Sequence, residues 1–170
     1  MVTVKVQKKV NIDLSKVLAQ LKKKSVYVGI PKENSKRDDG EMTNASLLMI
    51  HSNGSPLQHL PARPVIEPAI EDEGNKARIS KQLIAAANKG INGDQAGFIA
   101  GLNAAGLQAQ NVCRAWFTNP KNGWDPLAES TIKAKVRKYG KGKKVDTSSI
   151  VPLIDTGEMR KAITYVLRDA

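Results

Sequence analysis

Apolar residues recur along the chain with two periods, and the points where the period changes divide it into elements. Val2, Val4 and Val6 alternate with Thr3, Lys5 and Gln7, the period-two pattern of a strand with one buried face. From Asn11 the spacing becomes helical: Leu14, Val17, Leu18 and Leu21 share one face, and Lys22, Lys23 and Lys24 close the run where cations favour a helix C-terminus. Ser25 to Ile30 is β-branched and aromatic, which predicts a second strand stopped by Pro31. Lys32 to Gly40 is entirely polar and buries too little to offset its ordering entropy, so it predicts a mobile loop over about 32–41. Thr43 or Asn44 caps a helix through Ala45, Leu47, Leu48 and His51 that ends at Asn53-Gly54.

Pro56, Pro61 and Pro64 make the next stretch an extended connection. A long helix is predicted from between Pro64 and Pro68 to about Lys89-Gly90, with Glu67, Glu71, Asp72 and Glu73 at its positive end. Asp94 caps a second long helix reaching about Phe117, with Phe98, Leu102, Ala105, Ala109, Val112 and Trp116 on one face. Gly97 and Gly101 within it are spaced for close backbone packing at a helix crossing. Asn119 to Gly123 reads as a turn. Asp125-Pro126 then reads as a cap and first helical residue for a helix over Leu127–Tyr139. Asp155 to Glu158 has the spacing of a capping box opening a short helix, and Ile163, Tyr165 and Leu167 alternate as a closing strand. The sum is an α+β domain over 1–170: a small, mainly antiparallel sheet packed against long helices, with flexible segments at about 32–41 and 138–150.

Length and charge narrow the picture. A chain of 170 residues suits one core, no apolar run approaches the ~20 residues that span a bilayer, and the alternating start is unlike a secretory signal. With a single cysteine, Cys113, these features lead us to expect a cytoplasmic protein without a disulfide framework. The formal charge of +11 favours a polyanionic partner. It resides at the two ends, because residues 61–110 carry equal numbers of acids and bases. Lys133, Lys135, Arg137, Lys138, Lys141, Lys143 and Lys144 form its densest run, a candidate contact for DNA or an acidic protein partner. Aromatic residues make up only 4% of the chain and none is arranged as a base-stacking platform, so a basic nucleic-acid-binding module is the second reading.

Chemistry-bearing residues are few. His51, His59 and Cys113 are too scattered for a metal site, and no cofactor motif, phosphate loop or nucleophile elbow is present. Cys113 reads as a small buried thiol. Leu153 to Gly157 resembles the hydrophobic-Asp-Thr-Gly signature of retropepsin-type aspartic proteases, yet only thirteen residues follow it, too few to build the pocket walls of that fold. The expectation is a protein that is not an enzyme.

Two segments read together resemble a known family. Ala45 to Gly54 followed by Leu60-Pro61-Ala62-Arg63-Pro64-Val65-Ile66-Glu67-Pro68-Ala69 is similar to a short helix, a glycine turn and an "(I/L)PARPF(L/I)xPA" lead into a long helix. Trp124-Asp125-Pro126-Leu127-Ala128-Glu129-Ser130-Thr131-Ile132-Lys133 and Pro152 to Ile163, with Asp155-Thr156-Gly157, resemble "WxPLxxxTIxxK" and "PLxDTGxLxxSI". Val65, Met159 and Ala162 depart from the usual residues of these blocks. In this order, after a "VxVGI"-like strand, the blocks resemble the neck and tail-completion proteins of tailed bacteriophages, among them the Mu-type virion morphogenesis proteins. The resemblance implies a virion subunit at the head–tail junction, assembled in the host cytoplasm as a closed ring. Six-fold symmetry would come first and twelve-fold next. Neighbouring neck or connector and tail-tube proteins would be its partners, and DNA would pass through the channel. It also implies that Pro61, Arg63, Pro64, Trp124, Pro126, Leu127, Thr131, Asp155, Thr156 and Gly157 are architectural.

Overall fold

Two apolar helix faces and one short strand pair organise the molecule. A computed structural model describes residues 15, 23–37, 42–140, 146–147 and 150–169. In chain order the elements are β1 (Lys24–Gly29), α1 (Asn44–Asn53), α2 (Ile66–Glu71), α3 (Glu73–Ile91), α4 (Gln95–Trp116), α5 (Glu129–Gly140), α6 (Glu158–Ala162) and β2 (Thr164–Asp169). Helices with one two-stranded antiparallel sheet make the described part of the chain α+β, as the periodicities predict. The predicted strand over Val2–Val6 and the helix over Leu14–Leu21 lie outside the described residues, Ser15 excepted.

α3 and α4 form an antiparallel hairpin through Asn92-Gly93-Asp94, where Gly93 takes a left-handed φ of 79° and Asp94 accepts from the Gly97 N–H at 2.8 Å. All six residues of the predicted α4 face are buried. The two glycines predicted to share a helix crossing have different tasks. A Cβ on Gly101 would lie 2.6 Å from that of Ala86 in α3, so the backbones meet there, whereas Gly97 faces its own cap, Asp94.

The sheet lies on the same helix. Val26 pairs with Leu167 and Val28 with Tyr165; Val26 and Leu167 pack on Ala86, Phe98 and Leu102, and Val28 on the larger core around Val65, Cys113, Phe117 and Ile163. Gly106 makes this approach possible, because a Cβ there would sit 2.2 Å from the Tyr165 ring. Thr164 and Gln110 share a hydrogen bond of 2.8 Å, which satisfies a buried amide at the same seam. Cys113 is fully buried, and that burial pushes its thiol up to about 12.

Four stretches have local structure that differs from or adds to the sequence pattern. The long helix predicted after Pro64 is two helices, because Asp72 leaves helical geometry at ψ 125° and its carboxylate caps α3 by accepting from Asn75 N–H at 3.2 Å. Within the segment predicted as a loop, Lys32–Asn34 forms a 3₁₀ turn, and buried Ser35 accepts from Asn44 N–H through its carbonyl and from Ala45 N–H through Oγ. Residues 38–41 lie outside the described ones. The connection after Gly54 is not extended throughout, since Ser55 and Leu60 bridge around a 3₁₀ turn at Pro56–Gln58. Finally, the helix predicted from Leu127 begins at Glu129, for a reason that belongs to the site below.

Candidate functional site

The three sequence blocks, far apart in the chain, meet around one buried arginine. Pro61 and Pro64 hold the backbone extended on either side of Arg63, whose N–H donates to the His51 carbonyl at 2.6 Å and ties the segment to α1. The Arg63 side chain is 5% exposed, and its Nη2 donates to the carbonyl oxygens of Asp125 at 3.0 Å and Pro126 at 3.5 Å. This explains the late start of α5. Both carbonyls that a helix beginning at Leu127 would draw inward are held by Arg63, and Asp125 does not act as a cap.

Trp124 fixes the same junction from the other side. Its Nε1 donates to Pro64 O at 3.2 Å and its ring meets Phe117 edge-on, with centroids 6.0 Å apart at 88°. Arg63, Leu127, Thr131, Asp155, Thr156 and Gly157 line a single cleft of about 330 Å³, whose apolar wall includes Leu47, Leu153 and Met159. Pro61 lies outside it, in a recess beside the Ser55–Leu60 turn. His51 Nδ1, Arg63 Nε and Glu158 Oε2 are buried polar atoms of the cleft residues without a hydrogen-bond partner among the described residues. Burial, and then the Arg63 charge, hold His51 below its usual imidazole range.

The third block is latched to α5 rather than closed by its own capping box. Gly157, at φ 80°, is the N-cap residue of α6 and has no side chain to cap it; the Thr156 hydroxyl accepts from the Glu158 N–H at 3.4 Å. Asp155 instead accepts from Lys138 Nζ at 2.7 Å and Tyr139 Oη at 2.5 Å. Those two bonds hold its carboxyl below the usual range, and the Asp155 carboxylate in turn raises Lys138 and Tyr139. In the Asp-Thr-Gly triplet, then, the acid is an ionised anchor for a neighbouring helix.

Lys135 reaches the same segment, donating to Val151 O at 3.3 Å and Ile154 O at 2.6 Å, and burial lowers its affinity for the proton. Between those carbonyls Leu153 is held at φ 60°, a left-handed conformation that costs an apolar side chain about 1 kcal/mol or more.

The basic run therefore divides. Lys135, a candidate contact for DNA or a partner, has its ammonium on the Val151 and Ile154 carbonyls, and Lys138 is engaged with Asp155 while lying 5.2 Å from the Tyr139 ring centre. Lys133 pairs with Glu129 at 3.3 Å on the exposed face and Arg137 projects to solvent. Lys141, Lys143 and Lys144 lie outside the described residues.

Sequence reasoning missed two arginines that hold the approach to β2. Arg114 donates to Ile163 O at 2.9 Å and Lys161 O at 2.7 Å, and Arg160 donates back to Arg114 O at 2.8 Å. The available signal was a cation in the last turn of a predicted helix, which the helix dipole explains equally well.

Among the described residues no three His, Cys, Asp or Glu side chains converge as metal ligands, and no helix is long and apolar enough to cross a membrane. No family model, curated protein or solved structure matches this chain.

Proposed function

We propose that this chain is a structural virion protein of a tailed phage or prophage. It forms a ring at the head–tail junction that completes the tail and joins it to the neck, with DNA passing through the channel. The observation that carries the reading is the convergence on Arg63. The blocks resembling the neck and tail-completion family supply the buried arginine, the carbonyls that accept from it, and the lining of one cleft. Residues kept together for architecture are expected to interlock in this way.

Asp155 supports the same reading, because its contacts with Lys138 and Tyr139 join α5 to the lead of α6. In a ring the subunit meets copies of itself and of neighbouring neck and tail-tube proteins, so shape and rigidity are its working properties. The +11 charge then serves proximity to DNA in transit.

Deleting the reading frame from the phage or prophage that encodes it tests the proposal. The expected outcome is filled heads and tails that accumulate unjoined, with joining restored when the chain is supplied in trans. Normal tailed particles in its absence would refute it.

A further inference from the structure

The turn between α1 and the Pro61–Pro64 segment carries the most exposed large apolar side chain among the described residues. Leu57 is 96% exposed. A single surface leucine is ordinary in itself, but this one is held out by a rigid support. Ser55 and Leu60 exchange backbone hydrogen bonds of 2.8 and 2.9 Å, and Gln58 and His59 donate back to Ser55 and Pro56 at 3.1 Å each. His59 adopts the left-handed φ of 51° that closes the turn. At its base Gly54 has φ 71° and no space for a side chain, since a Cβ would lie 2.7 Å from Ala62 N. The backbone that presents Leu57 is therefore already ordered, and docking it sacrifices little conformational freedom.

A receptor of matching chemistry lies elsewhere on the same chain. On α5, Ile132 and Val136 floor an open groove of about 420 Å³ flanked by Glu129, Lys133, Arg137 and Thr147. Its charges fit the turn as well. Asp125, exposed and forming no ion pair among the described residues, lines the recess at the base of the turn. Arg137, likewise exposed and making no ion pair among the described residues, stands on the rim of the groove.

Resting on the ring reading above, we infer that the occupant of the Ile132–Val136 groove is the Ser55–Leu60 turn of a second copy of this chain, with Leu57 as the inserted side chain and Asp125 opposite Arg137. Turn and groove are different surfaces, so the contact is heterologous: each copy offers a turn to one neighbour and a groove to the other. Such a contact generates a ring when its rotation closes.

The test joins two copies by chemistry that only this contact allows. In a Cys113→Ser background, chains carrying Leu57→Cys and Val136→Cys, distinguished by tags of different size, are co-expressed and oxidised. A disulfide-linked mixed dimer is expected, and no such product when Leu107→Cys, exposed on α4, replaces Leu57→Cys. Leu57→Ser supplies an independent readout, since this side chain is almost wholly in solvent and its loss leaves the monomer folded. The concentration for half-assembly should rise roughly 10- to 100-fold, the change expected from losing one buried leucine. An assembly of unchanged mass that forms no mixed disulfide and is indifferent to Leu57→Ser overturns this interface and leaves the ring reading standing. A monomeric mass for the unsubstituted chain overturns both.

Discussion

Arg63 is a buried cation whose side-chain acceptors among the described residues are main-chain oxygens, so its contribution depends on the shape of its fork as well as on its charge. A guanidinium reaches two adjacent carbonyls with fixed geometry, which an ammonium on a flexible stem does not reproduce. Arg63→Ala should lower unfolding free energy by roughly 2 kcal/mol or more, the order of losing charge-assisted bonds and leaving buried carbonyls without a donor. Arg63→Lys should recover only part of that. Denaturant unfolding checks both, and a loss below about 0.5 kcal/mol for Arg63→Ala would place the junction's stability in Trp124 alone. Gly106 offers the opposite test, because adding one methyl group drives the Tyr165 ring off α4. Gly106→Ala should cost roughly 1–3 kcal/mol by overpacking, although alanine is the better helix former. Stabilisation instead would mean that the sheet does not lie against this face.

At the scale of elements, two carboxylates join segments that are distant in sequence. Asp72 caps α3 while accepting from Lys121 at 2.7 Å, and Asp155 joins α5 to the lead of α6. Both are held below the usual carboxylate range, Asp72 chiefly by Lys121 and Asp155 by Lys138 and then Tyr139. A carboxyl depressed in the folded state stabilises the fold above its unfolded pKa, and that contribution disappears as pH falls through the folded value. Stability should therefore decline below about pH 4. Asp72→Asn, which keeps an oxygen for the Asn75 N–H but loses the attraction to Lys121, should make that decline shallower. Unfolding followed across acid pH gives the comparison, and an unchanged slope in the variant would remove Asp72 from the account.

These same acids mark where sequence stopped being informative. Asp94 was legible as a cap, and Thr43 as one of two candidates beside Asn44, because each stands before a run of helical period; the structure places Thr43 and Asp94 as the caps. Asp72 read as favourable charge inside one helix, yet its carboxylate bonds locally and restarts the helix. Asp125 and Asp155 also carried capping spacing, but Arg63 holds the carbonyl of the first, and Lys138 and Tyr139 hold the side chain of the second. Capping and long-range pairing compete for the same short acids, and spacing alone encodes only the first. Gly106 was silent because its reason is the ring of Tyr165, 59 positions later. The residues of the cleft were legible as blocks, whereas their meeting is a tertiary fact.

For the molecule as a whole, the long helix hairpin with its sheet on one face gives a rigid body, and the polar clusters sit where chain segments cross. The outward cations Lys133 and Arg137 should give weak, sequence-blind attraction to duplex DNA. Filter binding should show it lost steeply between about 50 and 200 mM salt, and retained sequence preference at the higher salt would favour a dedicated nucleic-acid module. Closure into a ring is the property on which the proposed function depends. Native mass spectrometry of the purified full-length chain tests it most directly. A closed ring gives one discrete species, about 110 kDa for six copies of the 18.4 kDa chain or twice that for twelve. A single 18.4 kDa species at every concentration up to the solubility limit would contradict it.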